Sequence, residues 1–271
     1  MGMNMVVYQL VNEFKRLPEV EAITLAGSGA NGRKDPLSDI DIDIILSDEV
    51  DNYRREQIIK KVSDSMEVGN EYWGAGDEFV LRSSDIQVDI AYFGMEWLQE
   101  QITNILDKNM ACTGYTTCFW HNVKNAVIVY DKDGVFTALQ NKCKTSYPDE
   151  LKKNIIKKNY PILRRAFSSY YNQINKALKR NDLVSVNHRL AAFLASYFDI
   201  LFAINEIPHP GEKKLVEIVE NKCTLKPEDF RVNITKILSE GNENLLSKLD
   251  DLVDGLDVIL KRENLYIVIG S

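Results

Sequence analysis

The sequence contains few residues of the kinds that build disulfide frameworks or structural zinc sites. Its four cysteines form no CxxC pair, and His121, which lies close to Cys118 in the sequence, does not complete a zinc-ligand spacing. We therefore expect the cysteines to be reduced thiols that pack inside the protein. They are Cys112, Cys118, Cys143 and Cys223.

Long apolar runs are also lacking. No segment is long enough to span a membrane, and the N-terminus has no apolar core followed by a small-residue cleavage site. These absences predict a cytoplasmic protein without a membrane partner.

The chain has no surplus of basic residues. Its 271 residues include 33 Lys and Arg against 40 Asp and Glu, which gives a formal charge of −7. A net negative chain is poorly suited to gripping DNA or RNA by its phosphates, although a local basic groove would reverse this argument. We expect a small-molecule partner rather than a nucleic acid, and a cationic one would suit the charge.

The most informative stretch covers residues 25–46, which read LAGSGANGRKDPLSDIDIDIIL. Asp39, Asp41 and Asp43 alternate with isoleucines, so in a strand the carboxylates share one face and the isoleucines the other. Strands disfavour aspartate, and carboxylates on one face repel one another unless a cation lies among them. An exposed edge strand blunted by charge would explain the aspartates alone, but not the glycine-rich loop before them.

This stretch combines the two halves of a metal and phosphate site. Carboxylates two residues apart on a strand lie about 6.6 to 6.8 Å from Cα to Cα and can converge on one hard cation, for which Mg²⁺ is suited. Gly27 and Ser28 allow backbone N–H groups and a hydroxyl to approach a phosphate. The sequence therefore predicts a cation and a phosphate held side by side.

The same residues resemble the nucleotidyltransferase superfamily of DNA polymerase beta. The match consists of Ala26-Gly27-Ser28, a spacer of ten residues, and Asp39-Ile40-Asp41. Members carry a third carboxylate on a later strand, for which Asp89 in the run IQVDIAYF is the candidate. The resemblance implies transfer of a nucleoside monophosphate from a nucleoside triphosphate (NTP) to a hydroxyl, with release of pyrophosphate.

The resemblance also implies the roles of single residues. Asp39, Asp41 and Asp89 would be catalytic and would hold one or two Mg²⁺ ions, and Asp89 would either complete the second metal site or act as the base. Asp43 departs from the family pattern and would support the site or face the acceptor. Residues expected to bind the nucleotide, with ATP as the expected NTP, are Gly27, Ser28, Arg33, Ser38 and Lys213.

Two of these expectations have an ordinary alternative. Arg33 and Lys34 would contact phosphate or would simply form a solvated turn. Lys213 belongs to the turn 207–215, which reads IPHPGEKKL, where two prolines and a glycine separate two helices. Lysines at a helix N-terminus oppose the helix dipole unless an anion is present, so Lys213 or Lys214 would reach a triphosphate, or the turn is only a connection.

The pattern of apolar residues changes near residue 146. Strands alternate with helices before it, and the helical period dominates after it. We predict an α+β fold with a small mixed sheet and flanking helices over residues 1–146, the catalytic domain, followed by a helical acceptor-binding bundle over 147–271. Among the predicted elements are helices at 53–66 and 149–179 and a hairpin of strands 79–82 and 86–93, which brings Asp89 beside the aspartate-rich strand.

The expected acceptor is inferred from the helical second half of the chain. An α/β catalytic half followed by helices resembles the antibiotic nucleotidyltransferases, which modify aminoglycosides or lincosamides. Asp199, on an apolar helix, would bind an acceptor amine or pair with an arginine. Two other functions remain open, namely nucleotidyl transfer to RNA or protein, and a non-catalytic nucleotide-binding module of the same fold.

Overall fold

The protein is described by a computed structural model that covers residues 3–26, 39–82, 84 and 86–266. The chain divides into two compact units. The first comprises Met1–Thr103 and Asn122–Thr145, and the second comprises Asn104–His121 and Ser146–Ser271. Residues 104–121 therefore cluster with the helical part of the chain rather than with the sheet.

The first unit is built on a mixed sheet to which six strands contribute in the described part of the chain. The strands are β1 (Val20–Leu25), β2 (Ile40–Leu46), β3 (Ser65–Asn70), β4 (Gly76–Val80), β5 (Gln87–Gly94) and β6 (Val127–Asp131). Their order is β3-β4-β5-β2-β1-β6. β2 and β5 run parallel, and the other neighbours are antiparallel.

Helices accompany this sheet. In the first unit they are α1 (Met3–Phe14), α2 (Asn52–Ile59), most of α3 (Met95–Leu106), the end of α4 (Cys118–Asn125) and α5 (Val135–Lys142). The core lies on one face of the sheet, where the isoleucines of β2 pack with side chains of α1 and α2, such as Leu10 and Ile59. Alternation along β2 turns Asp41 and Asp43 to the opposite face. The buried isoleucines thus orient the aspartates.

One predicted element of this unit is wrong. The helix expected over residues 53–66 ends at Ile59, and β3 begins at Ser65. In β3 the partly buried Met66 and Val68 alternate with exposed residues, which is the period of a strand rather than of a helix. The expected hairpin is present, because β4 pairs with β5 from Val80 and Gln87 onward.

The second unit is helical. After α6 (Asp149–Tyr160) come a π-helical segment (Pro161–Arg165), α7 (Tyr170–Lys179), α8 (Leu183–Ile204), α9 (Leu215–Lys222), α10 (Phe230–Ser239) and α11 (Leu245–Arg262). Its core surrounds α8, in which Phe193, Tyr197 and Leu201 are fully buried. An α+β fold with a mixed sheet, flanking helices and a helical C-terminal region is thereby confirmed.

The single helix expected over residues 149–179 is interrupted. Pro161 has no N–H group and its ring crowds the preceding turn, so the regular hydrogen-bond pattern cannot pass through it. The chain instead widens into the π-helical segment, ends it at Ala166, and starts α7 with a Ser169 cap that accepts from Asn172 N. Among the described residues, no helix has the length and apolar character needed to cross a membrane.

Candidate active site

Asp41 and Asp89 lie side by side on the two parallel strands of the sheet. The register of β2 with β5 makes them direct partners. Paired residues on neighbouring strands point to the same face. The strand adjacency expected for Asp89 is therefore present. Asp39 is exposed and immediately precedes β2, two residues before Asp41.

The row of carboxylates extends across two further strands. Glu78 of β4 is the partner of Asp89, and Glu67 of β3 is the partner of Glu78. Asp41, Asp89, Glu78 and Glu67 thus form one row across four strands, which we term the acidic row. The sequence alone does not identify Glu67 and Glu78 as site residues, because each has the pattern of an ordinary exposed strand residue and only the strand register shows its neighbours.

Asp89 has a hydrogen-bond donor beside it. Gln87, two residues earlier on β5, donates from Nε2 to Asp89 Oδ1 at 2.9 Å. The two side chains share a face because they are two residues apart in a strand. One oxygen of the Asp89 carboxylate is therefore engaged by an uncharged donor of the protein.

Asp43 lies one step further along β2, on the same face as Asp41. Its partners in the neighbouring strands are Thr24 of β1 and Ala91 of β5. Burial raises the pKa of Asp43 to about 6, and the charge of Asp41 acts in the same direction. This carboxyl is therefore poorly solvated.

The donor chemistry of this face fits Mg²⁺. The ion prefers hard oxygen ligands and in proteins takes one or two carboxylates, completing its shell with water and phosphate rather than an all-protein cage. In the described part of the chain, no group of three His, Cys, Asp or Glu side chains is arranged as a metal cage. The Asp41–Asp89 pair, with two carboxylates on adjacent strands, matches the smaller ligand set that Mg²⁺ needs from protein.

Several residues assigned to nucleotide binding lie outside the described residues. They are Gly27, Ser28, Arg33 and Ser38, together with Lys34. Their assignment remains a prediction. The described chain stops at Ala26, whose N–H donates to the Asp41 carbonyl at 3.0 Å.

A charged network supports the strands from the core side of the sheet. Asp77 of β4 is fully buried and accepts hydrogen bonds from Gly69 N at 2.8 Å and from the Tyr92 hydroxyl at 2.5 Å. Arg55 of α2 pairs with Asp77 at 3.3 Å and lies over the Tyr92 ring. These bonds tie β3, β4, β5 and α2 together beneath the acidic row.

Lys213 lies in the second unit, on a turn that is anchored by His209. Lys213 is exposed, whereas His209 is fully buried. The His209 N–H donates to Thr117 Oγ1 at 2.7 Å, and Gly211 N–H donates to His209 Nδ1 at 3.1 Å. Burial lowers the pKa of His209 to about 4, and nearby His121 adds to this effect, so the ring is neutral near pH 7.

Asp199 of the second unit is fastened to the segment that precedes α4. It accepts hydrogen bonds from Thr116 N at 3.0 Å and Thr116 Oγ1 at 2.6 Å, and Asn159 Nδ2 lies at 3.3 Å. Among its described contacts, the partners of Asp199 are these uncharged donors and not the arginine that the sequence suggested. Burial raises the pKa of Asp199 to about 7, although the bonds from Thr116 oppose this rise.

Comparison with known proteins identifies two regions of the chain. Residues 8–72 match the family model described as Polymerase beta, Nucleotidyltransferase, and residues 117–214 match a domain of unknown function, DUF4037. No curated protein matches the sequence.

Solved structures that are similar to this chain include the following two. A nucleotidyltransferase-like protein from Exiguobacterium sibiricum 255-15 is 14% identical over 99% of this chain and 77% of its own, with a TM-score of 0.47. A spectinomycin adenyltransferase from Enterococcus faecialis, solved with ATP and spectinomycin, is 13% identical over 92% of this chain and 99% of its own, with a TM-score of 0.30.

Proposed function

We propose, from the nucleotidyltransferase domain that residues 8–72 carry, that this protein moves a nucleoside monophosphate from an NTP to a hydroxyl of a small-molecule acceptor and releases pyrophosphate. The observation that carries the proposal is the pairing of Asp41 with Asp89 on adjacent parallel strands. Two carboxylates in this relation repel each other unless a cation is bound between them. A site that keeps both is suited to a divalent metal and the phosphates that accompany it.

Each carboxylate has a role in this proposal. Asp39 and Asp41 hold Mg²⁺, and Asp89 either completes the metal site or accepts the proton of the acceptor hydroxyl. When bound there, Mg²⁺ stabilises the negative charge on the attacking and leaving oxygens of an in-line displacement. A positioned base typically contributes about 10²- to 10⁴-fold to the rate.

The NTP is held by backbone and basic groups. Gly27, Ser28 and Ser38 supply N–H and hydroxyl donors to the phosphates, and Arg33 and Lys213 supply positive charge. Lys213 is exposed on the turn that the buried His209 anchors, so its ammonium group is available to an anion, which supports this role. We take ATP as the donor.

The acceptor is a cation in this proposal. Glu78 and Glu67 continue the row of Asp41 and Asp89 over two more strands, and the chain as a whole has a charge of −7. A surface of this sign attracts cations and repels polynucleotides. Aminoglycosides, which carry several ammonium and hydroxyl groups, are the first acceptors to try, followed by lincosamides.

The donor half of the proposal can be tested before any acceptor is known. Thermal unfolding is followed with ATP, GTP, CTP and UTP, each with Mg²⁺ and with EDTA, for the wild type and for Asp41→Asn. A ligand at about 100 times its dissociation constant stabilises the fold by about 2.7 kcal/mol. We expect a Mg²⁺-dependent rise in melting temperature that the variant loses. Equal behaviour of both proteins with every NTP would contradict the metal assignment.

The acceptor half follows from the donor result. With the preferred NTP, pyrophosphate release is measured in the presence of aminoglycosides and lincosamides. Release that requires both the acceptor and Asp41 would support the full proposal. NTP binding without pyrophosphate release in the presence of any small hydroxyl compound would favour the hypothesis of a non-catalytic nucleotide-binding module.

A further inference from the structure

We propose that Gln87 is a positioning residue for Asp89, which fixes one oxygen of this carboxylate so that the other is presented to the metal. The inference rests on the proposed function, because it concerns the metal site of that reaction. It goes beyond that function by assigning a role to a residue that belongs neither to the aspartate motif nor to the loop before it.

The geometric basis is the hydrogen bond between the two side chains. Gln87 Nε2 donates to Asp89 Oδ1 at 2.9 Å, and both side chains are partly buried. Both residues belong to β5, where Gln87 is the partner of Val80 and Asp89 the partner of Glu78. The backbones of the donor and acceptor residues are therefore held in a central strand, two residues apart on one face, rather than in a loop.

Without this bond, the electrostatics of the acidic row would move Asp89. Asp41 flanks it on one side and Glu78 on the other, and like charges in directly opposed positions repel each other. A free carboxylate between them would rotate away from both neighbours, at a cost to the geometry that a metal ligand needs. The hydrogen bond from Gln87 opposes that rotation.

The chemical identity of the donor also fits the task. An amide N–H₂ group donates hydrogen bonds without carrying charge and does not titrate, whereas lysine or arginine would neutralise Asp89 and a carboxylate would repel it. Gln87 therefore orients Asp89 while leaving the full negative charge available to Mg²⁺. Partners of this kind typically account for about 10- to 100-fold in metal affinity or activity.

The test measures metal binding and needs neither a nucleotide nor an acceptor. Mn²⁺ is titrated into the full-length protein, and free Mn²⁺ is followed by electron paramagnetic resonance. The variants are Gln87→Met, which keeps the length of the side chain and removes the donor, and Asp41→Asn. Gln57→Met is the matched control, because Gln57 is exposed on α2. Melting temperatures of all metal-free proteins are recorded in parallel.

We expect Gln87→Met to bind Mn²⁺ about 10- to 100-fold more weakly than the wild type. Gln57→Met should match the wild type. Metal-free Gln87→Met should melt within a few degrees of the wild type. If Gln87 had only a structural role, weaker Mn²⁺ binding would be accompanied by a clearly lower melting temperature. Should Gln87→Met fail to fold, Gln87→Leu replaces it, because leucine also lacks a donor, and the same weakening is expected.

The remaining outcomes separate the two proposals. Wild-type affinity in Gln87→Met, together with loss of binding in Asp41→Asn, would overturn the role of Gln87 and leave the proposed function intact. A wild-type protein that shows no saturable Mn²⁺ binding would overturn the metal assignment, and the role of Gln87 with it.

Discussion

Glu78 lies directly opposite Asp89 in the antiparallel pairing of β4 with β5. Asp89 thus has a carboxylate neighbour on either side, since Asp41 is its partner on β2. Such an arrangement is unfavourable for the protein alone and becomes favourable when positive charge binds over it. The acidic row is therefore a place where ligand binding and stability are expected to oppose each other.

Replacing Glu78 by glutamine should stabilise the metal-free protein. The change removes one like-charge contact with Asp89 and one with Glu67, each of a kind that contributes roughly 0.2 to 1 kcal/mol in sheets. The melting temperature in EDTA measures the effect. Glu56→Gln is a suitable control, because Glu56 of α2 pairs with Lys60 and gains nothing from neutralisation. A lower melting temperature for Glu78→Gln would contradict the repulsion argument.

Asp41→Asn should abolish NTP-dependent pyrophosphate release without unfolding the protein. The asparagine has nearly the same shape, but it lacks the charge that a Mg²⁺ ligand provides, so the rate should fall by at least about 10²-fold. Pyrophosphate is measured with a coupled assay, and circular dichroism reports the fold. Turnover at the wild-type rate in a folded Asp41→Asn protein would show that this carboxylate holds no essential metal.

A third prediction concerns the core side of the same strands. Asp77→Asn should lower the free energy of unfolding by about 3 to 5 kcal/mol, because it leaves the buried Arg55 without its charged partner. Urea unfolding measures the loss. Asp64→Asn is the control, since Asp64 pairs with Arg82 at the exposed surface and should change stability little.

A double variant tests the reason for that loss. Combining Asp77→Asn with Arg55→Met removes both buried charges, and it should recover a large part of the stability that Asp77→Asn loses. If the double variant is no more stable than Asp77→Asn, the cost arises from the bonds of Asp77 to Gly69 and Tyr92 instead.

Alternation along a strand made part of the site predictable. Asp41 and Asp43 follow the period of two, and the apolar run around Asp89 indicates a strand, so the hairpin and the position of Asp89 beside β2 could be predicted. The acidic row could not, because it depends on the register between four strands. The local sequence does not specify which residues of the neighbouring strands pair with Glu67 and Glu78.

The local sequence pattern also fails to predict the structure where a helical and a strand period compete, or where a distant residue determines a side chain's partner. Residues 53–66 read as one helix because Ile58, Ile59 and Val62 would lie on one side of it. Ser65 and Met66 instead pair with β4 as the start of β3. Asp199 illustrates the second case. Its partner Thr116 lies far away in the sequence, and a search for an arginine could not find a buried carboxyl that is served by an amide N–H and a hydroxyl.

Asp199 should make the stability of the second unit depend on pH. Burial raises the pKa of Asp199 to about 7, from an ordinary value near 4. Between these values the folded protein keeps a proton that the unfolded chain has lost, so the free energy of unfolding falls as pH rises through this window and levels off above it. The expected loss from this group is about 4 kcal/mol.

Asp199→Asn isolates this contribution. Asparagine still accepts from Thr116 N and cannot ionise, so the variant should lose the downward slope between about pH 4 and pH 7 and be more stable than the wild type at pH 8. His209, whose lowered pKa produces the opposite slope, is present in both proteins and cancels in the difference. Urea unfolding at several pH values gives the comparison. Parallel pH profiles for the two proteins would show that Asp199 is ionised throughout, held by Thr116 and Asn159 strongly enough to offset its burial.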